Sequence, residues 1–354
     1  MFFERVIPKL LTWYQQEKRE LPWRETLNPY YIWISEIVLQ QTRVNQGLPY
    51  YFKFVDKFPK IDDLAKAEEE EVLKIWQGLG YYSRARNMQK AAKMIVNTWN
   101  SVFPKSFNEI KKLPGVGDYT AAAIASFAFN EAVPVVDGNV KRVFARFLGI
   151  HDNIQSSAFQ STVFEHLKEV IPKNEPASFN QSIMELGALV CLPKNPKCES
   201  CPMADYCIAL RENLQGILPV NKKRTKIKKR TIHYFFITDE NENCIIQKRS
   251  TDSIWGGLYE FPNVDNEDLI FPNSLFSEVI SLKEVNFEVP DKPVGITTHK
   301  LSHQNITAVL WSLKSTQLVE KEYFKLVESS SLNNFPLHKL MLKFVEWLEK
   351  PNNK

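Results

Sequence analysis

No stretch of the 354 residues approaches the roughly 18 uninterrupted apolar positions of a membrane helix. The longest candidate, Tyr119 to Phe129, runs at once into Asn130, Glu131 and Pro134. The opening MFFERVIPKLL carries Glu4, Arg5 and Lys9 within its apolar run and lacks a small-residue cleavage site, so no secretory signal is expected. An excess of one charge is missing too: 45 basic against 41 acidic residues leave +4. Apolar residues make up 44% and charged residues 24%, which excludes a mainly disordered, collagen-like or coiled-coil chain. Cysteine is scarce, yet four of the five fall between Cys191 and Cys207, with Cys244 alone. A dense cluster in a chain without a secretory signal is more often metal-binding than disulfide-stapled.

At about 150 residues per domain, this length predicts two or three domains. Residues 1–212 read as helical, with apolar residues at three- and four-residue spacing, as in Leu64, Ala67, Val72, Ile75 and Trp76. Pro and Gly mark helix stops; Asp62–Asp63 and Ser106 mark starts. Residues 213–230 read as a linker ending in NKKRTKIKKR, Asn221 to Arg230, which holds seven basic residues and no acidic one. Such a strap suits a linker and a local phosphate contact alike. From 231 to 350 the pattern changes to short β-type runs, Thr231–Thr238, Cys244–Gln247 and Ile306–Leu313, followed by an amphipathic helix, Leu337–Leu348. The fold expected is multidomain: an all-α region, then an α+β domain.

Four elements of the helical half carry chemistry. In KLPGVGDYTAA, Lys112 to Ala122, Pro114 stops one helix, Gly115 and Gly117 permit a tight turn, and Thr120 opens an Ala-rich helix. Such a turn presents unpaired N–H groups to phosphate. The cysteines Cys191, Cys198, Cys201 and Cys207 follow a C-x6-C-x2-C-x5-C pattern that four thiolates can use for zinc or for an iron–sulfur cube. A zinc site usually shows two C-x-x-C knuckles, and only Cys198–Cys201 forms one. In VVDGN, Val135 to Asn139, Asp137 stands at a helix entrance, where capping is its ordinary role.

Residues 21–45 read LPWRETLNPYYIWISEIVLQQTRVN. Glu36 lies between Ile32–Trp33–Ile34 and Ile37–Val38–Leu39, company in which a carboxylate is costly to ionise. A raised pKa there suits a general acid. The hairpin and cysteine spacing resemble the DNA repair glycosylases related to endonuclease III. LPWR, SEIVLQQT and GLGYYSRARN (Gly78 to Asn87) resemble the MutY-type adenine DNA glycosylases within that superfamily. Its bifunctional relatives carry a nucleophilic lysine two residues after the second hairpin glycine; this chain has Tyr119.

WGGLYEFP, Trp255 to Pro262, resembles the Nudix-like C-terminal domain of the same family. A Nudix hydrolase needs an R-E-x-x-E-E cluster for magnesium; Asn266–Glu267–Asp268 has neither that spacing nor an arginine. The domain is therefore expected to read DNA rather than hydrolyse nucleotides. THKLSH, Thr298 to His303, is similar to the family's H-x-F-S-H loop, with Leu301 in place of phenylalanine and with Ser302 and His303 retained.

The resemblance covers nearly the whole chain and implies a monofunctional adenine DNA glycosylase carrying a [4Fe–4S] cluster on Cys191, Cys198, Cys201 and Cys207. It implies catalysis by Glu36 and Asp137, with Tyr119 supporting them. It places Leu21, Trp23, Arg24, Gln41, Tyr81, Gly115, Gly117, Asn139, Glu185, Ser302 and His303 at the substrate. The partner implied is double-stranded DNA with adenine opposite 8-oxoguanine or guanine. The enzyme is expected to be a monomer, cytoplasmic and nucleoid-associated, with no membrane contact. A bifunctional glycosylase/lyase and a catalytically dead lesion sensor are the alternatives; Tyr119 speaks against the first, and Glu36 together with Asp137 against the second.

Overall fold

A computed structural model describes residues 2–221, 227–265, 290–301 and 303–349. The helices are α1 (Phe2–Glu17), α2 (Pro29–Val38), α3 (Val44–Lys57), α4 (Ile61–Lys66), α5 (Glu69–Ile75), α6 (Ser83–Trp99) and α7 (Phe107–Ile110). They continue with α8 (Asp118–Phe129), α9 (Gly138–Phe147), α10 (Ser157–Val170), α11 (Pro176–Leu189), α12 (Ile208–Arg211) and α13 (Lys339–Glu349). The strands are β1 (Lys228–Thr238), β2 (Asn243–Lys248), β3 (Tyr259–Glu260), β4 (Asn263–Asp265), β5 (Gly295–Lys300), β6 (Gln304–Lys314) and β7 (Lys325–Glu328). Among the described residues no helix is long and apolar enough to cross a membrane.

The chain forms two compact units: Met1–Lys66 with Lys90–Lys223, and Ala67–Gln89 with Arg224–Lys354. The segment Ala67–Gln89 thus packs with the C-terminal unit, an arrangement that reading the chain from end to end does not anticipate.

In the helical unit, α2 begins where the Asn28 side chain accepts from the Tyr30 N–H (3.0 Å) and Pro29 takes the first helical position. Ile32, Trp33, Ile34, Ile37 and Val38 are all buried, so α2 is enclosed on nearly every side. It packs against α8, whose run of alanines keeps the two backbones close. A second core joins Val6 and Leu10 of α1, Val143 and Phe144 of α9, Phe159 and Val163 of α10, and Ile183 and Leu186 of α11. Helices α9 and α11 approach so closely that a Cβ on Gly187 would lie 2.6 Å from the Asn139 Cβ.

Ser106 starts α7 with a capping box to Glu109, as its position predicts. That helix ends at Ile110 rather than at Leu113, and turns lead into the hairpin. Gly115 adopts a left-handed conformation (φ 75°), and Gly117 caps α8. Helix α8 starts at Asp118, two residues ahead of the expected Thr120.

In the C-terminal unit a mixed sheet runs β3-β2-β1-β6-β5, with β4 against β1 and β7 against β2. β1 and β6 are parallel, in register from Lys228↔Gln304 to Thr238↔Lys314; the other pairs are antiparallel. Side chains alternate between faces. Ile232, Tyr234, Ile306, Ala308 and Leu310 pack with Leu340, Met341 and Phe344 of α13. Phe235, Ile237, Val309, Trp311 and Leu313 pack on the other face with Leu318 and Phe324. Ala67–Gln89 is bonded into this unit at several points. Glu70 accepts from Lys248 Nζ (2.9 Å) and the Tyr259 hydroxyl (2.7 Å). Lys74 Nζ donates to the Phe335 carbonyl (3.1 Å), and Arg86 Nη2 to that of Thr251 (3.1 Å).

Candidate active site

Glu36 is one of the few acidic side chains sealed inside the helical unit, because α2 buries its whole middle turn. Burial pushes its carboxyl up to about 7, and the nearby Asp137 charge adds to that; the Tyr119 hydroxyl and the Arg24 cation pull the other way. Tyr119 comes from the first turn of α8 and donates to Glu36 Oε2 at 2.5 Å. Its own phenol is raised well above the ordinary range, first by burial and then by the two carboxylates.

Asp137 caps α9: Oδ1 accepts from the Val140 N–H (2.7 Å), and Oδ2 from Asn139 Nδ2 (2.8 Å). Burial raises its carboxyl, while these bonds restrain the rise. Asn139 Oδ1 in turn accepts from Arg142 Nη2 (2.8 Å), and Arg142 also donates to the carbonyls of Gly187 (2.7 Å) and Cys191 (2.8 Å). Arg142 is a residue that sequence reasoning passes over, since an arginine one turn into an amphipathic helix carries no spacing signal.

A cavity of about 1050 Å³ brings Glu36, Tyr119 and Asp137 together with Leu21, Trp23, Arg24, Gln41, Gly117 and Asn139. Arg19, Gln40, Lys141 and Gln181 line it as well and were not foreseen. Gly115 is not in the lining; it shapes the turn before it. Glu185 stands behind the wall and holds Arg24 through Nη2 (2.7 Å) and Nη1 (3.1 Å). It also takes three bonds from Arg19, from the backbone N–H and the guanidinium. Burial alone would raise the Glu185 carboxyl, but these bonds outweigh it and bring it down to about 2.

Two carboxyl groups in one cavity, one held near neutral pKa, suit acid-assisted cleavage of a glycosidic bond. Residues 34–173 match the HhH-GPD superfamily of base excision DNA repair proteins, residues 191–207 the iron-sulfur binding domain of endonuclease III, and residues 233–347 the NUDIX domain. An adenine DNA glycosylase of Buchnera aphidicola (subsp. Baizongia pistaciae) is 38% identical over 83% of this chain and 82% of its own length. The chain belongs to the adenine DNA glycosylase family. It is a base excision repair hydrolase that removes adenine from DNA. The mouse adenine DNA glycosylase is 42% identical over 72% of this chain and 50% of its own. A thermostable thymine-DNA glycosylase matches at 29% identity and TM-score 0.54, over 59% of this chain and 97% of its own. A trapped endonuclease III–DNA covalent intermediate matches at 25% and 0.52, over 60% and 97%.

The cofactor of this family's cysteine loop is a [4Fe–4S] cluster, and the loop of this glycosylase fits it. Cys191, Cys198, Cys201 and Cys207 line one pocket with the apolar side chains of Val143, Phe147 and Leu186. Burial pushes the Cys201 thiol up to about 12, and the other three cysteines add to it, as mutual proximity requires. Buried Arg146 supplies a compensating cation, with Nη1 3.4 Å from Cys191 Sγ and 2.6 Å from the Leu192 carbonyl.

The remaining expected residues lie in the C-terminal unit or outside the description. Tyr81 is half-exposed with φ 49°, and Gln41 of the cavity beside Glu36 is also left-handed at φ 56°. Residues with side chains rarely adopt that region. Tyr82 is buried, and its hydroxyl accepts from the Gly78 N–H (3.1 Å). Tyr81 and His303 line one pocket of about 370 Å³, with Trp255 and His299 in its wall. Ser302 lies outside the described residues, as do Asn266–Glu267–Asp268 and four basic residues of the strap, Lys222, Lys223, Arg224 and Lys226.

Proposed function

We propose that this enzyme is a monofunctional glycosylase acting on adenine opposite 8-oxoguanine or guanine in double-stranded DNA. The observation that carries the reading is the Tyr119–Glu36 hydrogen bond: a buried carboxyl poised near neutrality, held by a phenol where a lyase would need an amine. The base must leave the stack to be reached, so adenine is flipped into the cavity. Leu21, Trp23 and Arg24 enclose it, with Glu185 fixing Arg24. Gln41 and Tyr81 fill or wedge the vacated stack.

Glu36 protonates adenine N7 and makes the base a better leaving group. The sugar gains oxocarbenium character, which the fixed carboxylate of Asp137 stabilises. Asn139 holds that carboxylate. Water then adds with Glu36 acting as base, and Tyr119 keeps Glu36 in place. Gly115 and Gly117 present hairpin N–H groups to phosphate. Cys191, Cys198, Cys201 and Cys207 would hold the cluster, which orders its loop when bound. Ser302 and His303 read the base opposite adenine. The protein acts as a monomer at the nucleoid.

Single-turnover assays on a duplex with one adenine opposite 8-oxoguanine test the reading. Adenine should be released and the abasic strand should stay whole until alkali is added. Strand nicking at the rate of adenine release would overturn the monofunctional assignment. Equal rates opposite thymine and 8-oxoguanine would overturn the mispair assignment.

A further inference from the structure

The register of the C-terminal sheet builds a cationic row that the sequence scatters over 72 positions. Lys229 of β1 pairs with Asn305 of β6, and Asn305 pairs with Lys300 of β5. Paired residues on neighbouring strands point to the same face, so Lys229, Asn305 and Lys300 stand in line. The next row on that face is Thr231, Thr307 and Thr298. Both lysines are exposed, and Thr298 is exposed beside them. Neither lysine has an acidic partner among the described residues, and neither row contains a carboxylate.

Arg230, the neighbouring basic residue, is spent differently. It points to the opposite face, where it is ion-paired with Asp265 and donates to Gln304 Oε1 (3.4 Å). The structure therefore turns Arg230 and Lys228 to one face and Lys229 to the other, and sets Lys300 from far along the chain in line with Lys229.

We infer that the row Lys229–Asn305–Lys300 binds a phosphodiester of the DNA strand opposite the excised adenine. Adjacent strands lie about 4.8 Å apart, so the two lysine Cα atoms stand about 10 Å apart across β6. Their flexible stems can close on one phosphate or on two successive ones, with the Asn305 amide and the threonine hydroxyls as neutral donors. The row begins one residue from the tight turn where the Leu301 N–H donates to the Gln304 carbonyl (2.8 Å). The Lys228 N–H, held by the His303 carbonyl (3.0 Å), fixes β1 to that turn. One face of the hairpin thus carries His299 towards Trp255 (ring centroids 5.4 Å), and the other carries the lysines. The inference rests on the proposed reading that Ser302 and His303 meet the base opposite adenine.

The test is the salt dependence of binding by the full-length, cluster-loaded enzyme to a duplex with adenine opposite 8-oxoguanine. Each phosphate contact contributes about 0.9 to the slope of log affinity against log salt. Lys229→Ala with Lys300→Ala should lower the slope by about 0.9 for a shared phosphate and by about 1.8 for two. Lys229→Arg with Lys300→Arg should keep the wild-type slope. Lys314→Ala, at the far end of β6, should keep it as well. An unchanged slope in the double alanine variant overturns the inference. So does an equal loss in the arginine variant, or in Lys314→Ala, since either would mean damaged packing or a general charge effect. His303→Ala in the same assay separates the two claims. If it leaves the preference for 8-oxoguanine over guanine intact, the reader assignment fails while the phosphate row stands on its own slope.

Discussion

The Arg142 guanidinium donates to the Asn139 carboxamide oxygen at 2.8 Å, and the Asn139 amide donates to Asp137 Oδ2 at the same distance. Since Arg142 also holds the Cys191 carbonyl, a continuous set of hydrogen bonds runs from the first cysteine of the cluster loop to the Asp137 carboxylate. The Asn139 amide can serve Asp137 only while its oxygen is held, because the two ends of one planar group turn together. Arg142→Gln should therefore slow adenine excision about 10- to 100-fold through misplacement of Asp137. Stopped single-turnover assays would show this in the rate and not in duplex affinity. A loss confined to affinity would mean that Arg142 acts on DNA and not on Asp137.

Glu36→Gln keeps the shape of the carboxyl and removes its proton. Excision should fall by about 10²- to 10⁴-fold, the usual worth of a general acid, while mismatch binding persists. The stability effect has a definite sign. Wild-type Glu36 is raised from 4.5 to about 7. The fold is thus free of the ionisation penalty below about pH 4.5 and loses stability as pH rises through 7. At pH 8 the glutamine variant should be more stable by up to about 3 kcal/mol, and at pH 4 by nothing. Urea unfolding at the two pH values decides the matter; an equal effect at both would show that burial is not the cause.

Tyr119→Phe removes the hydrogen bond that opposes the upward shift of Glu36. The Glu36 carboxyl should then titrate higher, and the alkaline limb of the excision profile should move to higher pH. Rates measured from pH 5 to 9 would reveal the shift. A limb unmoved by this substitution would assign it to another group.

Glu185 has a side chain only 1% exposed and two arginines on it. Glu185→Gln leaves those cations without a counter-charge and should cost about 3–5 kcal/mol of stability, the range for breaking a buried pair from one side. Because its carboxyl is lowered from 4.5 to about 2, the wild-type contribution is complete above pH 4.5 and fades as pH falls towards 2. Wild type and variant should accordingly converge in denaturant midpoint at acid pH.

The chemistry of the cavity was legible where one residue contradicted its surroundings. A glutamate inside IWISEIVL announces burial, and an aspartate before a glycine and a helix announces a cap; both appear as expected. The start of α8 is not legible, because Asp118 and Tyr119 read as turn residues after two glycines, whereas Gly117 serves as the cap. Arg19, Arg142 and Gln181 escaped notice because polar side chains on helices look alike until tertiary packing chooses which of them face inward. The row across β1, β6 and β5 was equally hidden, since register is a property of pairing and no single strand records it. The same holds for Ala67–Gln89, whose amphipathic spacing shows that a face is buried but not against what.

That last segment alters what a shortened protein can reveal. Glu70, Lys74 and Arg86 are held by Lys248, Tyr259, Phe335 and Thr251, all of them beyond the strap. Cutting the chain before Arg224 removes every one of those partners and leaves Ala67–Gln89, with the half-exposed Tyr81 in it, without those bonds. A fragment ending there therefore differs from the whole enzyme in two respects: the missing C-terminal domain, and a Tyr81 segment that is still present but has lost those partners. A defect seen in such a fragment belongs to the missing domain only after Tyr81 has been replaced by alanine in both proteins and the difference between them survives.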